Sequence, residues 1–409
     1  MDDLLNRCKE AQKQLIKIGS EERKKLLFLI ADAISANADS ILKANRIDIE
    51  NARENGMTPA FIDRLSLDEK RLKGIVGGIR DVADLPDAIG ETIEELKPRS
   101  TIKIKKIRVP FGVICVIFEA RPNVCADIAA LAIKSANACV LKGGSDALNT
   151  NIAIVDVMKN AIKDFIDPDA ITLIRSTDRK ITDELLTKKE YIDLLIPRGS
   201  KKLIDYVVKN SKVPYIETGA GNCHLYVEKT ADLSMALNIA VNAKYQRPSV
   251  CNAIETILVD EDIKDRFLPL LGEKFAELGI TIYGCEKTLS SIKAEKATEE
   301  DFYTEYNDYK VAVKVVNGVD EAISHINKYS TKHSEAIITN DDNAWNKFST
   351  EVDSACVYRN ASTRFTDGGE FGFGAEIGIS TSKLHSRGPM GIREITTYKF
   401  VIEGHGEIR

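Results

Sequence analysis

Cys251 lies in the segment NAKYQRPSVCNAIET, after an amphipathic stretch at 232–243 and a proline-containing turn, and just before an apolar run that begins near Glu255. A thiol on a turn at such a boundary is placed where reactive groups tend to sit. The N–H groups of the turn can support a thiolate, and also the oxyanion that forms when that thiolate attacks a carbonyl. Local sequence alone favours the blander role of a buried structural cysteine, as it does for any single cysteine. The other cysteines, at 8, 115, 125, 139, 223, 285 and 356, form no CxxC pair and no His/Cys cluster at metal-ligand spacing, so no metal site is expected.

A second group of polar residues sits in EARPNV at 119–124, between an apolar run and an amphipathic segment. That is the carboxyl end of a strand in an open α/β sheet, the edge where ligands bind. Asn123 there suits either an oxyanion donor or a helix N-cap, and Arg121 suits either an anionic substrate group or a surface carboxylate. ACVLKGGSDA at 138–147 and IPRGSKKL at 196–203 each read as strand, glycine turn and helix start, where backbone N–H groups face a phosphate or ribose. Neither matches GxGxxG, so the nucleotide signal rests on two such turns sharing one sheet. Glycine-rich stretches at 217–224 (ETGAGNCH) and 368–391 are loops of the kind that carry function. The lone histidines His224 and His385 are read as structural.

The elements that must position these residues follow from periodicity. Segments 4–18, 21–34, 38–51 and 67–83 carry apolar residues at helical spacing, and TIKIKKIR at 101–108 alternates with period two as a strand does. From residue 112 the runs GVICVIF, ACVLKGG, ITLIRS, IDLLIP and VPYIET alternate with helix-like stretches at 124–135, 148–165, 180–188 and 201–209, the pattern of βαβ units around a parallel sheet. A further set has strands near 255–259, 310–316, 335–339 and 355–359, with helices at 264–278 and 319–328. The closing segment 395–404 reads as a strand with no helix after it, available to extend the sheet of another subunit. The expected fold is α/β, with two doubly wound α/β domains and a small β element.

Composition narrows the function classes. The chain has 409 residues, 44% of them hydrophobic, enough for two or three domains with a large core. Its 57 basic and 62 acidic side chains are interspersed, which argues against nucleic acid as a partner. Apolar runs such as 112–118 are far shorter than the roughly 20 residues of a membrane helix, and the polar start does not read as a signal peptide, so a cytoplasmic protein is expected.

Taken together, VPFGVICVIFEARPNV, LKGGSDALNTN, ETGAGNCHLYVEKTADL, NAKYQRPSVCNAIETILV, FGFGAEIGISTSKLHSRGPMG and TTYKFVIEGHGEIR resemble the aldehyde dehydrogenase superfamily, most closely its gamma-glutamyl phosphate reductase family, over nearly the whole chain. The resemblance implies an aldehyde dehydrogenase-like fold: a nucleotide-binding domain (1–93 and 109–221), a catalytic domain (222–385) and an oligomerisation β element (94–108 and 386–409). It makes Cys251 the nucleophile and Asn123 the oxyanion donor. It assigns Lys142, Gly143, Gly144, Ser145, Gly199, Ser200, Glu217 and Glu305 to the cofactor, and Arg121, Arg247, Ser362, Thr363 and Arg364 to the substrate.

Ser145 stands where NAD-preferring relatives often carry a glutamate, which implies NADPH. Glu217 matches a general base that a reductase does not need. The implied reaction is NADPH-dependent reduction of L-glutamyl 5-phosphate to the 5-semialdehyde in proline biosynthesis, through a cysteine thioester. A homo-oligomer and substrate handover from glutamate 5-kinase are further implications. A non-phosphorylating aldehyde dehydrogenase and a catalytically silent scaffold are the rival readings.

Overall fold

The computed structural model describes residues 1–408 apart from Ser100 and Ala120; Ala120 of the EARPNV segment and the terminal Arg409 thus lie outside the described residues. Helices α1 (Asp2–Leu15), α2 (Ser20–Ala36), α3 (Ala38–Glu54), α4 (Pro59–Leu65) and α5 (Glu69–Asp84) open the chain. Their apolar stripes are buried, as with Leu72, Ile75, Val76, Ile79 and Val82 of α5, whose N-terminus is capped by Asp68 accepting from the Arg71 N–H at 2.6 Å. Helix α4 was not anticipated: it is short, and its signal is the Thr58-Pro59 start.

Strands β3 (Val113–Phe118), β4 (Ala138–Gly143), β5 (Ile171–Leu173) and β6 (Leu194–Arg198) form a parallel sheet in the order β5-β4-β3-β6. Helices α6 (Val124–Lys134), α7 (Leu148–Ile162), α8 (Arg179–Leu185) and α9 (Lys201–Asn210) connect and cover them. Helix α6, VCADIAALAIK, is nearly all small or apolar and runs through the core against α2 and α5. The register sets Phe118 opposite Gly143 on one side and Arg198 on the other, so the loops after β4, β3 and β6 leave one edge of the sheet together. The run VPYIET, expected as a strand, makes isolated bridges, Tyr215 with Leu195 and Thr218 with Ser380, rather than a ladder.

A seven-stranded parallel sheet follows in the order β10-β9-β11-β8-β7-β12-β13. Its strands are β7 (Cys223–Val227), β8 (Ile254–Asp260), β9 (Thr281–Gly284), β10 (Glu295–Lys296), β11 (Lys310–Val316), β12 (Ser334–Ile338) and β13 (Cys356–Arg359). Helices α10 (Leu233–Tyr245), α11 (Lys264–Glu277), α12 (Glu286–Leu289), α13 (Gly318–Tyr329) and α14 (Asp342–Glu351) complete it. Strand β8 lies near the middle, between β11 and β7, and all of it is buried.

The third sheet is antiparallel, β1 (Thr92–Leu96), β2 (Lys103–Pro110) and the terminal β16 (Thr396–Glu403), with β2 central. The terminal strand therefore pairs first with its own chain and keeps its other edge open. A hairpin-like pair, β14 (Ile379–Ser380) with β15 (Gly388–Pro389), ties the second glycine-rich loop together.

Candidate active site

A cavity of about 580 Å³ opens between the carboxyl ends of β3 and β6 and the amino end of β8. It brings together Cys251, Asn123, Arg121, Arg247, Arg364 and Gly199 of the expected site, and adds Arg64, Arg198, Asp127 and Glu376.

The Cys251 turn is held from several sides. A Cβ built on Gly221 would lie 1.5 Å from the Cys251 carbonyl oxygen, so only glycine lets the two backbones meet. The Cys223 thiol donates to that same oxygen at 3.2 Å. Asn252 donates to the carbonyls of Arg364 (3.3 Å) and Thr366 (2.9 Å), and its own carbonyl accepts from Thr363 Oγ1 at 2.7 Å. Behind the turn, Lys244 of α10 and Glu255 of β8 form a fully buried ion pair at 2.5 Å. Arg64 reaches from α4 to the Ser249 carbonyl at 2.9 Å, closing the cavity from the helical side.

Burial raises the Cys251 thiol to about 11, with Glu376 adding to the effect, while Arg198 and Arg121 pull the other way. The thiol is therefore protonated at rest at neutral pH, and its nucleophilicity grows as pH rises. Arg121 is pulled down to about 10, first by burial and then by repulsion from Arg198, with Arg64 and Arg247 adding to it. It remains a cation at neutral pH. Guanidinium groups crowded this way are held ready for an anion from outside the chain.

Asn123 sits at the N-cap position of α6, but its side chain makes no capping bond; instead Nδ2 donates to Asp127 Oδ2 at 2.8 Å, four residues on along the same helix. The capping alternative is thereby set aside.

The remaining expected positions fall on two turns and the loops behind Cys251. Lys142 at the end of β4 is buried and donates to the Gly143 carbonyl at 3.0 Å, and burial lowers its pKa. Ser145 is exposed on the turn that follows Gly144. At the N-terminus of α9 the Glu119 carboxylate accepts from the Ser200 N–H (2.7 Å) and hydroxyl (2.9 Å) and packs against Gly199. Glu305 accepts from the Gly221 N–H at 2.7 Å and so lies behind the Cys251 turn. Glu217 stays outside the cavity, although its neighbours Thr218 and Gly219 line it. Ser362 and Thr363 are buried, the first capping the Arg364 N–H at 3.3 Å and the second holding Asn252, and only Arg364 of the three faces the cavity.

The Glu119 contact also tests whether this sheet edge suits a dinucleotide. A carboxylate seated on Gly199 and Ser200 is a stand-in anion, so the α9 N-terminus receives a negatively charged group as a pyrophosphate would require. Lys142 and the Gly143–Gly144 turn lie on the same edge at the end of β4, with β3 between it and β6. The residues present fit the group, with Glu119 having to move aside.

Sequence reasoning did not name Asp127, Arg198, Glu376 or Arg64 as site residues. Asp127 did leave a signal, since it is the one carboxylate in α6, whose other residues apart from Lys134 are small or apolar.

Residues 1–286 match the aldehyde dehydrogenase family. A gamma-glutamyl phosphate reductase from Dictyoglomus thermophilum is 53% identical, with 100% of each chain covered. The crystal structure of gamma-glutamyl phosphate reductase from Thermotoga maritima superposes with a TM-score of 0.96 at 46% identity, covering 100% of this chain and 99% of that one. An acetylating aldehyde dehydrogenase from Geobacillus thermoglucosidasius shares the fold at a TM-score of 0.71 and 18% identity, covering 100% of this chain and 97% of that one.

Proposed function

The chain belongs to the aldehyde dehydrogenase family, and from that premise we propose that it reduces L-glutamyl 5-phosphate to L-glutamate 5-semialdehyde and phosphate, in the route from glutamate to proline. The observation that carries the reading is a cysteine on a clamped turn facing guanidinium groups crowded in a partly buried cavity. The substrate brings a carboxylate and a phosphate into that surplus of positive charge.

In this mechanism Cys251, as thiolate, forms a bond to the acyl carbon while the carbon–oxygen bond to phosphate breaks. Asn123 Nδ2 and the Cys251 N–H hold the oxyanion, and Arg121, Arg247 and Arg364 hold the anionic groups. A reduced nicotinamide cofactor, when bound, supplies the hydride that takes the acyl group from the oxidation level of a thioester to that of an aldehyde. Lys142, Gly143, Gly144, Ser145, Gly199 and Ser200 would hold that cofactor. The exposed serine at 145 leaves room for a 2′-phosphate, which supports NADPH over NADH. Glu217 and Glu305 complete the cofactor side, Glu305 also bracing the Cys251 loop through the Gly221 N–H, and Ser362 and Thr363 shape the substrate side through Arg364 and Asn252.

The reading divides the chain into a cofactor domain (1–93 and 109–221), a catalytic domain (222–385) and a β element (94–108 and 386–409). The open edge of β16 and the exposed Tyr398, Phe400 and Ile402 support homo-oligomerisation through that element. A cytoplasmic location agrees with the finding that, among the described residues, no helix is long and apolar enough to cross a membrane. Direct handover of the labile acyl phosphate from glutamate 5-kinase completes the proposal.

The test runs the reaction backwards, with glutamate 5-semialdehyde, NADP and inorganic phosphate, following NADPH absorbance. Phosphate-dependent NADPH formation is expected. Equal turnover without phosphate would favour a hydrolytic aldehyde dehydrogenase, and no turnover would favour a scaffold.

A further inference from the structure

The substrate class proposed above carries a third charge besides its phosphate and carboxylate: an α-ammonium, which needs an anion inside a cavity otherwise rich in guanidinium groups. Four carboxylates line that cavity. Asp63 is exposed and already paired with Arg71 at 2.6 Å. Asp367 is exposed and accepts the Gly369 N–H at 2.9 Å. Glu376 accepts the Gly368 N–H at 2.9 Å and lies 3.8 Å from Arg198. Asp127 differs from all three: among the described residues its side chain accepts from Asn123 alone and makes no ion pair and no bond to backbone.

We propose that Asp127 is a specificity-determining residue that receives the α-ammonium of the amino-acid substrate, an assignment that rests on the reductase reading. Geometry favours it. Three carbon–carbon bonds separate the reacting carbonyl carbon from the α-carbon, a span of about 4 Å when extended. On the protein side, an oxyanion held by Asn123 is linked to Asp127 through the amide nitrogen, one hydrogen bond on each side, the second of them 2.8 Å. With the carbon–oxygen and carbon–nitrogen bonds added at its ends, the substrate reaches about 6 Å from oxyanion to ammonium, close to two hydrogen bonds in series, so one carboxylate can orient the Asn123 amide and meet the ammonium of the same substrate.

Burial raises Asp127 to about 6, with the Asn123 hydrogen bond and the Arg198 charge opposing. A carboxylate left in that condition is stabilised by an arriving cation. Helix α6 supplies the rigid support, since its other residues pack into the core.

The experiment compares glutamate 5-semialdehyde with 5-oxopentanoate, the same aldehyde without the α-amine, in the phosphate-dependent reverse assay. Rates are referred to the uncyclised aldehyde, for the wild type and for Asp127→Asn. The isosteric amide keeps an acceptor for Asn123 but removes the charge. Wild-type kcat/KM is expected to favour the aminated aldehyde by on the order of 10²-fold, and the variant to lose most of that preference.

A wild-type ratio near one overturns the assignment without any variant. A variant that slows both aldehydes alike also overturns it, leaving Asp127 as a positioning residue for Asn123. Absence of phosphate-dependent turnover with either aldehyde in the wild type overturns the reductase reading itself, and the assignment with it.

Discussion

Two cysteines of the seven-stranded sheet, Cys251 and Cys285, show how much a thiol depends on what faces it. Cys285 follows the carboxyl end of β9, the edge where open parallel sheets bind ligands, and is partly exposed. Burial works against its ionisation, but the Thr288 hydroxyl and the backbone N–H groups of Val315, Thr288 and Lys287 bring it below the ordinary thiol value. Cys251 sits at the opposite, amino end of β8, and its thiol is held up at about 11. By acidity and by sheet edge, Cys285 is the better nucleophile. The cavity supports the proposed choice of Cys251 instead: the carboxyl edge of the other sheet meets it, bringing Asn123 and Arg121, whereas Cys285 does not line that cavity. In the proposed mechanism the nucleophile is marked by the groups gathered for its substrate rather than by its resting ionisation.

The comparison breaks most easily by exchanging each thiol for alanine. Cys251→Ala is expected to lower kcat by on the order of 10⁴-fold or more, while Cys285→Ala stays within about twofold, both read in the phosphate-dependent assay. A large loss at Cys285 would invert the account.

The supports of the two thiols should differ next. Lys244→Met leaves Glu255 buried without its partner behind the Cys251 turn, and a loss of about 3–5 kcal/mol in unfolding free energy is expected by denaturant titration. Lys287→Ala removes an exposed pair with Glu261 beside Cys285 and should leave the unfolding midpoint unchanged.

Asn123→Ala sharpens the electrostatic side. A fall of about 10²–10³-fold in kcat at nearly constant stability marks an oxyanion donor, whereas a loss of stability with kcat retained marks a cap.

The smallest effect is on alkylation. At pH 7, iodoacetamide should label Cys285 faster than Cys251. The Cys251 rate should climb about tenfold per pH unit from pH 7 to 9, because its raised thiol value keeps the thiolate a minor species throughout. Peptide mass spectrometry across that range would show either this order or a Cys251 rate that is flat with pH, contrary to the account.

The same contrast explains what the sequence could reveal. Strand β3, buried on both faces, was visible as an apolar run because nothing polar interrupts it, and β8 showed through its apolar stretch from Ile257 to Val259 although the polar Glu255 and Thr256 precede it. Strand β7, CHLYV, was hidden in the glycine-rich stretch before it: its histidine is as buried as its leucine, with Nδ1 3.1 Å from the Glu335 carboxylate, so no alternation shows. Strand β1 is exposed along its whole length and carries no pattern at all.

Within the site, Cys251, Asn123 and Arg121 stood out through motif and turn. Arg64 and Glu376 did not, because their roles arise from α4 and a distant loop closing over the cavity. Local sequence made Cys251 a candidate by its turn but favoured a buried structural role for it, as for each of the other seven cysteines. The resemblance singled it out, and the cavity supplies a physical reason.

In the proposed mechanism Cys251 carries the acyl group. The direct measurement is to incubate the protein with NADP and 5-oxopentanoate, which has no α-amine to attack a thioester, in the absence of phosphate, then to quench in acid and map the adduct by peptide mass spectrometry. One acyl group is expected on the peptide containing Cys251, removed when phosphate is added before the quench. An adduct on Cys285, or none on any cysteine while NADPH still forms, would contradict it.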